Sequence, residues 1–188
     1  MEGREPRLVL ICGLPGSGKS TLAKRLADEM KAMRLCGDEW MAQLGIDLHA
    51  EDERDRIEVL FWQIAQSLLR LGHSVILESG FWLRSDRDEK RLGARKLGVP
   101  VELRYLDVPF EELCQRVERR NRESAWATVP ITREMMVGWT QFFQAPDAAE
   151  RSLVDGPAAA SAVGQTPRPC VFGKPVHVGP SGFQARRG

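Results

Sequence analysis

Along the first 150 positions, short apolar runs alternate with amphipathic stretches of helical period. Leu8–Cys12 is uninterrupted apolar, the pattern of a short strand buried on both faces. Lys19–Met30 carries Leu22, Leu26 and Met30 at four-residue spacing, one face of a helix. Met33–Cys36 reads as a second strand, ending in Gly37-Asp38. Residues 51–71 give the strongest helix signal: Ile57, Leu60, Phe61, Ile64, Ala65 and Leu68 follow the i, i+3, i+4 rule, and Gly72 stops the run. Residues 74–78 form a third strand rich in β-formers, 85–97 a charged helix ending at Gly98, and 101–107 a fourth strand. Pro109 opens another helix, where its missing N–H costs nothing, with Phe110, Leu113 and Val117 on the apolar face. A last helix covers about 132–143.

Strands separated by helices of this length must pair in parallel and be covered on both faces. The 188 residues, 43% hydrophobic, supply one sizeable core. After residue 150 the chain turns to Pro, Gly and Ala with no useful period, so 151–188 is expected to be a mostly disordered tail; a short edge strand over 170–172 is the competing reading. The domain plan is therefore 1–150 for the folded unit and 151–188 for the tail.

Composition narrows the function classes. With 27 basic and 26 acidic residues there is no global field for nucleic acid or membrane, so any anion must be met by local clusters. Cys12, Cys36, Cys114 and Cys170 are far apart without C-x-x-C spacing, which argues against a zinc site or disulfide framework. The apolar run before the first turn is too short for a signal h-region, and no 18-residue apolar span occurs. A soluble, cytoplasmic protein with no membrane contact and no obligate protein partner is expected.

The most informative stretch is Gly13-Leu-Pro-Gly-Ser-Gly-Lys-Ser20, which fits G-x-x-x-x-G-K-S/T with a strand before it and a helix after it. Gly13, Gly16 and Gly18 let the backbone curl so that successive N–H groups, Ser17 included, point inward as an anion nest. Lys19 adds a mobile charge for the β- and γ-phosphates, the Ser20 hydroxyl is placed for Mg2+, and Thr21 neighbours the α-phosphate. The chain is read as binding a nucleoside triphosphate. No guanine-reading N-K-x-D run occurs, so ATP, the commoner nucleotide, is expected.

Three further places bear on where the phosphate goes. Asp38 follows the second strand at the carboxyl edge of the sheet, where a carboxylate can orient an acceptor hydroxyl and take its proton; the alternative is a capping role for a helix over 39–44. Glu78 ends the third strand in the place of a metal-supporting acid, against the plainer reading of a solvated strand end. Phe81 and Trp82 follow it and either wall a substrate pocket or pack in the core; Arg84 and Arg87 either reach an anionic acceptor or belong to a solvated helix face. Finally, Arg116 and Arg120 share a helix face, with Arg119 and Arg122 further round, just before the segment 121–130. Guanidinium groups that close over a transferred phosphoryl suit such a lid, although an exposed basic face is the simpler alternative.

These residues resemble the small P-loop kinases that include zeta toxin, chloramphenicol phosphotransferase and the kinase domain of polynucleotide kinase, and more closely the bacterial "AAA family ATPase" or predicted-kinase proteins of this size. The likeness covers residues 7–150 and rests on GLPGSGKST, Gly37-Asp38, VILESGFWLRSDRDE, YLDVPFEELCQRVERRN and ITREMMVGWTQFFQAPDAAE. It implies an α/β fold, a P-loop NTPase-type parallel sheet with helices on both faces and a helical lid. It also implies ATP and Mg2+ as cofactors, with Lys19 and Ser20 on phosphates and metal and Asp38 as the acceptor-side base. Arg116 and Arg120 match the lid arginines, and Arg87 an acceptor-facing arginine.

Two positions depart from the pattern. Polynucleotide kinases usually carry an arginine three residues after the catalytic aspartate, where this chain has Met41, and the family often has Asp where this chain has Glu78. A small-molecule hydroxyl acceptor is therefore the leading expectation. A nucleotide-dependent switch without such an acceptor is the alternative, and a nucleic-acid end kinase is disfavoured by Met41 and the near-zero net charge.

Overall fold

Among the described residues, four strands and seven helices follow one another in the order the hydrophobic pattern predicts, with a short helix added after the second strand and another at the end. They are β1 (Leu8–Cys12), α1 (Lys19–Met30), β2 (Met33–Cys36), α2 (Gly37–Gln43), α3 (Glu51–Arg70), β3 (Val75–Gly80), α4 (Arg84–Lys96), β4 (Val101–Tyr105), α5 (Phe110–Glu123), α6 (Arg133–Phe142) and α7 (Ala148–Ser152). The structure is a computed structural model that describes residues 5–123 and 130–156. The expected tail beyond 156, its alternative strand over 170–172, and positions 124–129 lie outside the described residues.

The sheet is wholly parallel in the order β2-β3-β1-β4. Period-two alternation splits its side chains between two layers. Val9, Ile11 and Ile76 pack on Ala23 and Leu26 of α1, whereas Leu8, Leu10, Val75 and Leu77 pack on Ile57, Phe61, Ala65 and Leu69 of α3 and Ala94 of α4. Helices thus cover both faces. Because β1 lies between β3 and β4, the turn leaving it opens into the crevice at the carboxyl edge, where ligands bind in open α/β sheets.

One register feature matters for the site. Leu10 pairs with Leu77 but Cys12 pairs with Gly80, so β3 carries one extra residue, a bulge at Glu78–Ser79.

Three details differ from the expectations. In α3 the buried row is Ile57, Phe61, Ala65 and Leu69, with Leu60 and Ile64 turned outward, because a helix lying on a sheet presents a single i, i+4 ridge. Helix α2 begins at Gly37 with Cys36 as its cap residue, so Asp38 sits inside the first turn and has no capping role. The described chain also runs past 150 as a short helix and the residues after it. Asp147 caps α7 by accepting from the Glu150 N–H at 2.6 Å, and Asp155 then binds the start of β4, donating its N–H to Val101 O at 2.7 Å and accepting the Val101 N–H at 2.8 Å. This covers an otherwise open sheet edge.

Among the described residues no helix is long and apolar enough to cross a membrane. Burial pushes the Cys12 and Cys36 thiols up to about 11, as expected of small core hydrophobes.

Helix α4 approaches α3 closely at Gly93, where a Cβ would stand 2.4 Å from Trp62 Cζ2. Gly93→Ala should therefore cost about 1–3 kcal/mol despite alanine's better helix propensity. Gly138→Ala in α6, where nothing lies within 4 Å of the new Cβ, should stabilise by up to about 1 kcal/mol. Urea midpoints of the two variants should move in opposite directions; a shared direction would contradict this packing.

Candidate active site

The turn from β1 into α1 is built by glycines that no other residue could replace cheaply. Gly16 and Gly18 adopt φ of +82° and +94°, and a Cβ on Gly16 would meet Leu113 O at 2.9 Å and Val117 Cγ2 at 3.0 Å on α5. Gly18 is also the cap residue of α1 and offers no side-chain cap, which leaves the first amides of the helix for an outside acceptor. Ser17 is buried inside the loop, its N–H donating to Leu14 O at 3.2 Å. Lys19 leads α1 and donates from Nζ to Leu14 O at 2.9 Å. Burial pushes its ammonium below the usual lysine range, opposed by the carboxylates of Glu78 and Asp38 and reinforced by the nearby Arg120. Thr21 is exposed in the first turn of α1.

Glu78 lies on the α1 face of the sheet and is buried. Ser20 Oγ donates to its Oε1 at 2.5 Å, and Arg34 of β2 donates to its Oε2, at 2.7 Å from Nε and 2.6 Å from Nη2. The solvated strand end is thereby excluded. The paired hydroxyl and carboxylate form an all-oxygen donor set, which fits Mg2+; that ion takes one or two protein oxygens and completes its shell from phosphate and water.

Asp38 stands at the carboxyl end of β2 with its side chain 60% exposed. Its Oδ1 accepts from Arg54 Nη1 at 2.6 Å, and Arg54 Nη2 is anchored on Leu48 O at 2.6 Å. No hydrogen bond or ion pair to Oδ2 occurs among the described residues. Met41 is fully buried, so the guanidinium beside the aspartate comes from α3 instead. Arg54 sits within the charged run EDERDR and gave no sequence signal apart from a solvated helix face.

On α5, Arg116 Nη1 donates to Gly16 O at 3.3 Å, and its Nη2 is held by Glu112 at 2.5 Å. This arginine lies against the glycine loop. Arg119, Arg120 and Arg122 are exposed. Of the expected lid, only the ends are described, and Asn121 Nδ2 ties them by donating to Ile131 O at 2.8 Å.

The acceptor-side readings of Phe81 and Arg87 do not match their positions, and Trp82 lies half-buried beside them. Arg87 is 2% exposed; its Nε and Nη2 donate to the buried Glu150 carboxylate at 2.6 and 2.8 Å, and its Nη1 to Phe81 O and Trp82 O at 2.8 and 3.2 Å. A guanidinium committed in this way cannot face an acceptor. Phe81 is buried in the main core, and Trp82 is half-buried against Trp139 at 5.6 Å between centroids. Arg84 turns outward to Asp147.

Phe81 has φ of +47°, a costly conformation for a bulky residue, at the turn where Gly80 O accepts the Gly13 N–H at 3.1 Å. Arg87 therefore braces a strained turn that abuts the phosphate loop, and Glu150 secures Arg87. Glu150 lies at the last position of the expected domain, where an isolated Glu in a polar stretch carries no visible signal.

A parallel sheet in this order, with a glycine-rich anion loop at its carboxyl edge, defines a P-loop nucleotide-binding protein of the kinase type. The family model described as an AAA domain matches residues 8–146, and the chain belongs to that family. It is 32% identical over 149 residues to a cytidylate kinase of Ignicoccus hospitalis, covering 72% of this chain and 77% of that one. Among solved structures it is similar to Kti12 of Chaetomium thermophilum in complex with ADP-AlF3 (TM-score 0.61, 20% identity, 82% of this chain and 90% of that one). It is also similar to a gluconokinase from Sinorhizobium meliloti 1021 (TM-score 0.55, 19% identity, 79% and 81%).

Replacing Glu150 with Ala should leave Arg87 buried without its counter-charge and cost about 3–5 kcal/mol in urea unfolding. The apolar pair Arg87→Met with Glu150→Leu should recover much of that loss. Equal destabilisation of the single and double variants would contradict the strut.

Proposed function

We propose that the protein transfers the γ-phosphoryl group of ATP to a hydroxyl of a small molecule. The observation that carries this reading is the half-held carboxylate of Asp38. One oxygen is fixed by Arg54, the other has no partner among the described residues, and the group is close enough to the glycine loop for Lys19 to feel its charge. A carboxylate with one oxygen anchored presents the second in a defined direction, as a group that orients an alcohol must.

In this reading the amides of residues 13–20 and the Lys19 ammonium hold the phosphate chain. The Ser20 and Glu78 oxygens would hold Mg2+, which supplies charge neutralisation at the β- and γ-phosphates when bound. Asp38 accepts the proton of the incoming hydroxyl through its free oxygen as the phosphoryl group moves. Arg116, already on the loop, and Arg120, exposed one turn further along α5, meet charge developing on the transferred group. Burial lowers the basicity of Lys19, and a phosphate chain beside it would oppose that shift.

A hydroxyl acceptor is supported over water because Asp38 is exposed beside a structured wall formed by Arg54 and the 47–50 turn. The names of the similar proteins point to different acceptors, a nucleotide for the cytidylate kinase and a sugar acid for the gluconokinase. A screen must therefore include nucleoside monophosphates as well as sugars, polyols and hydroxylated antibiotics.

Such a screen, run by thermal shift with a non-hydrolysable ATP analogue and Mg2+, should show one class that raises the melting temperature of the ternary complex. With that acceptor, Asp38→Asn should leave ATP affinity within about twofold while phosphoryl transfer falls by about 10²–10⁴-fold. Transfer that survives the substitution would remove the base assignment. A product phosphorylated on a phosphate oxygen would instead place the protein with nucleotide kinases.

A further inference from the structure

We infer that Arg34 is the positioning residue that sets both acidic groups of the site from a single guanidinium; this rests on the reading of Ser20 and Glu78 as Mg2+ donors and of Asp38 as the base. Arg34 is the one charged side chain of β2, and its side chain is only 12% exposed. Strand register places it beside Ile76, two residues before Glu78, on the face covered by α1. From there the fork divides its donors. Nε and Nη2 go to Glu78 Oε2 at 2.7 and 2.6 Å, while Nη1 and Nη2 go to the two oxygens of Glu39 at 2.7 and 3.1 Å. Lys24 of α1 closes the chain on Glu39 Oε1 at 3.0 Å.

Each half of this fork has a separate consequence. On one side, Arg34 occupies Oε2 and leaves Oε1 turned to Ser20, so the carboxylate enters the metal site by a defined oxygen. On the other side, Glu39 is the residue after Asp38 in the first turn of α2. A bidentate Arg34–Glu39 contact pins that turn, which has no side-chain cap of its own, and thereby holds the backbone that carries Asp38. The Arg34 guanidinium holds the Glu39 carboxyl below the usual range, as a persistent contact should. A lysine here could keep the charge but could not serve two carboxylates in fixed directions.

The test uses the full chain and two separate readouts. Calorimetric titration with AMP-PNP, with EDTA or with Mg2+, measures the gain in affinity due to metal. Amide hydrogen exchange over 37–41 measures how firmly the first turn of α2 is held. Arg34→Gln should leave EDTA-state affinity within about twofold, reduce the Mg2+-dependent gain by about 10-fold or more, and speed exchange over 37–41. Glu39→Gln should speed the same exchange while keeping most of the Mg2+ gain.

Should Arg34→Gln not fold, Arg34→Lys serves instead: it should retain part of the Mg2+ gain and still exchange fast in α2. A Mg2+ gain that survives Arg34→Gln, or an equal loss of affinity with and without Mg2+, would overturn the role of Arg34 alone. If the unsubstituted protein shows no Mg2+ gain at all, the metal reading falls and this inference falls with it.

Discussion

A carboxylate buried on a sheet face is tolerated only when its charge is met by fixed partners, and that requirement organises this molecule. Glu78 leaves β3 at a bulge and is satisfied by Ser20 from α1 and Arg34 from β2. Three elements distant in sequence are thereby locked at the mouth of the glycine loop. In the proposed reading, the same contacts would present oxygen donors to a phosphate-bound divalent ion. Structure and chemistry therefore draw on one group.

The opposite side of the loop is held by a second buried charge. Arg87 reaches from α4 to the carbonyls of Phe81 and Trp82 and is balanced by Glu150 of α7. This pair brings the last described helix to the turn next to Gly13. A left-handed phenylalanine is affordable there because the core encloses its ring and Arg87 fixes its carbonyl. Family-level sequence likeness reaches this region, and residues 8–146 stop just short of Glu150.

In the proposed reading, acceptor choice lies elsewhere, around Asp38, Arg54 and the turn before α3. A shared fold does not by itself fix the acceptor, which depends on the residues around the site. In this chain the wall supplies a guanidinium from α3 where the position three residues after the aspartate is a buried methionine. In the proposed reading, the second carboxylate oxygen, unpartnered among the described residues, takes up the proton of the incoming hydroxyl.

Much of this was legible in the residues alone. Hydrophobic period identified nine of the eleven described elements, since burial on two faces forces apolar runs and burial on one forces helical stripes. The glycine loop was readable because left-handed backbone and close approach by α5 admit little else at Gly16 and Gly18. Longer-range pairings were not. Arg34, Arg54 and Glu150 are ordinary charged residues in their local windows, and they acquire meaning only when register, the bulge in β3 and the packing of α4 bring partners from 44, 16 and 63 positions away. Arg87 shows the same limit in reverse: the family resemblance implied an acceptor-facing arginine, and the tertiary structure turned it inward. Periodicity encodes which face of an element is buried, but the partner of a buried charge depends on how separate elements meet in space.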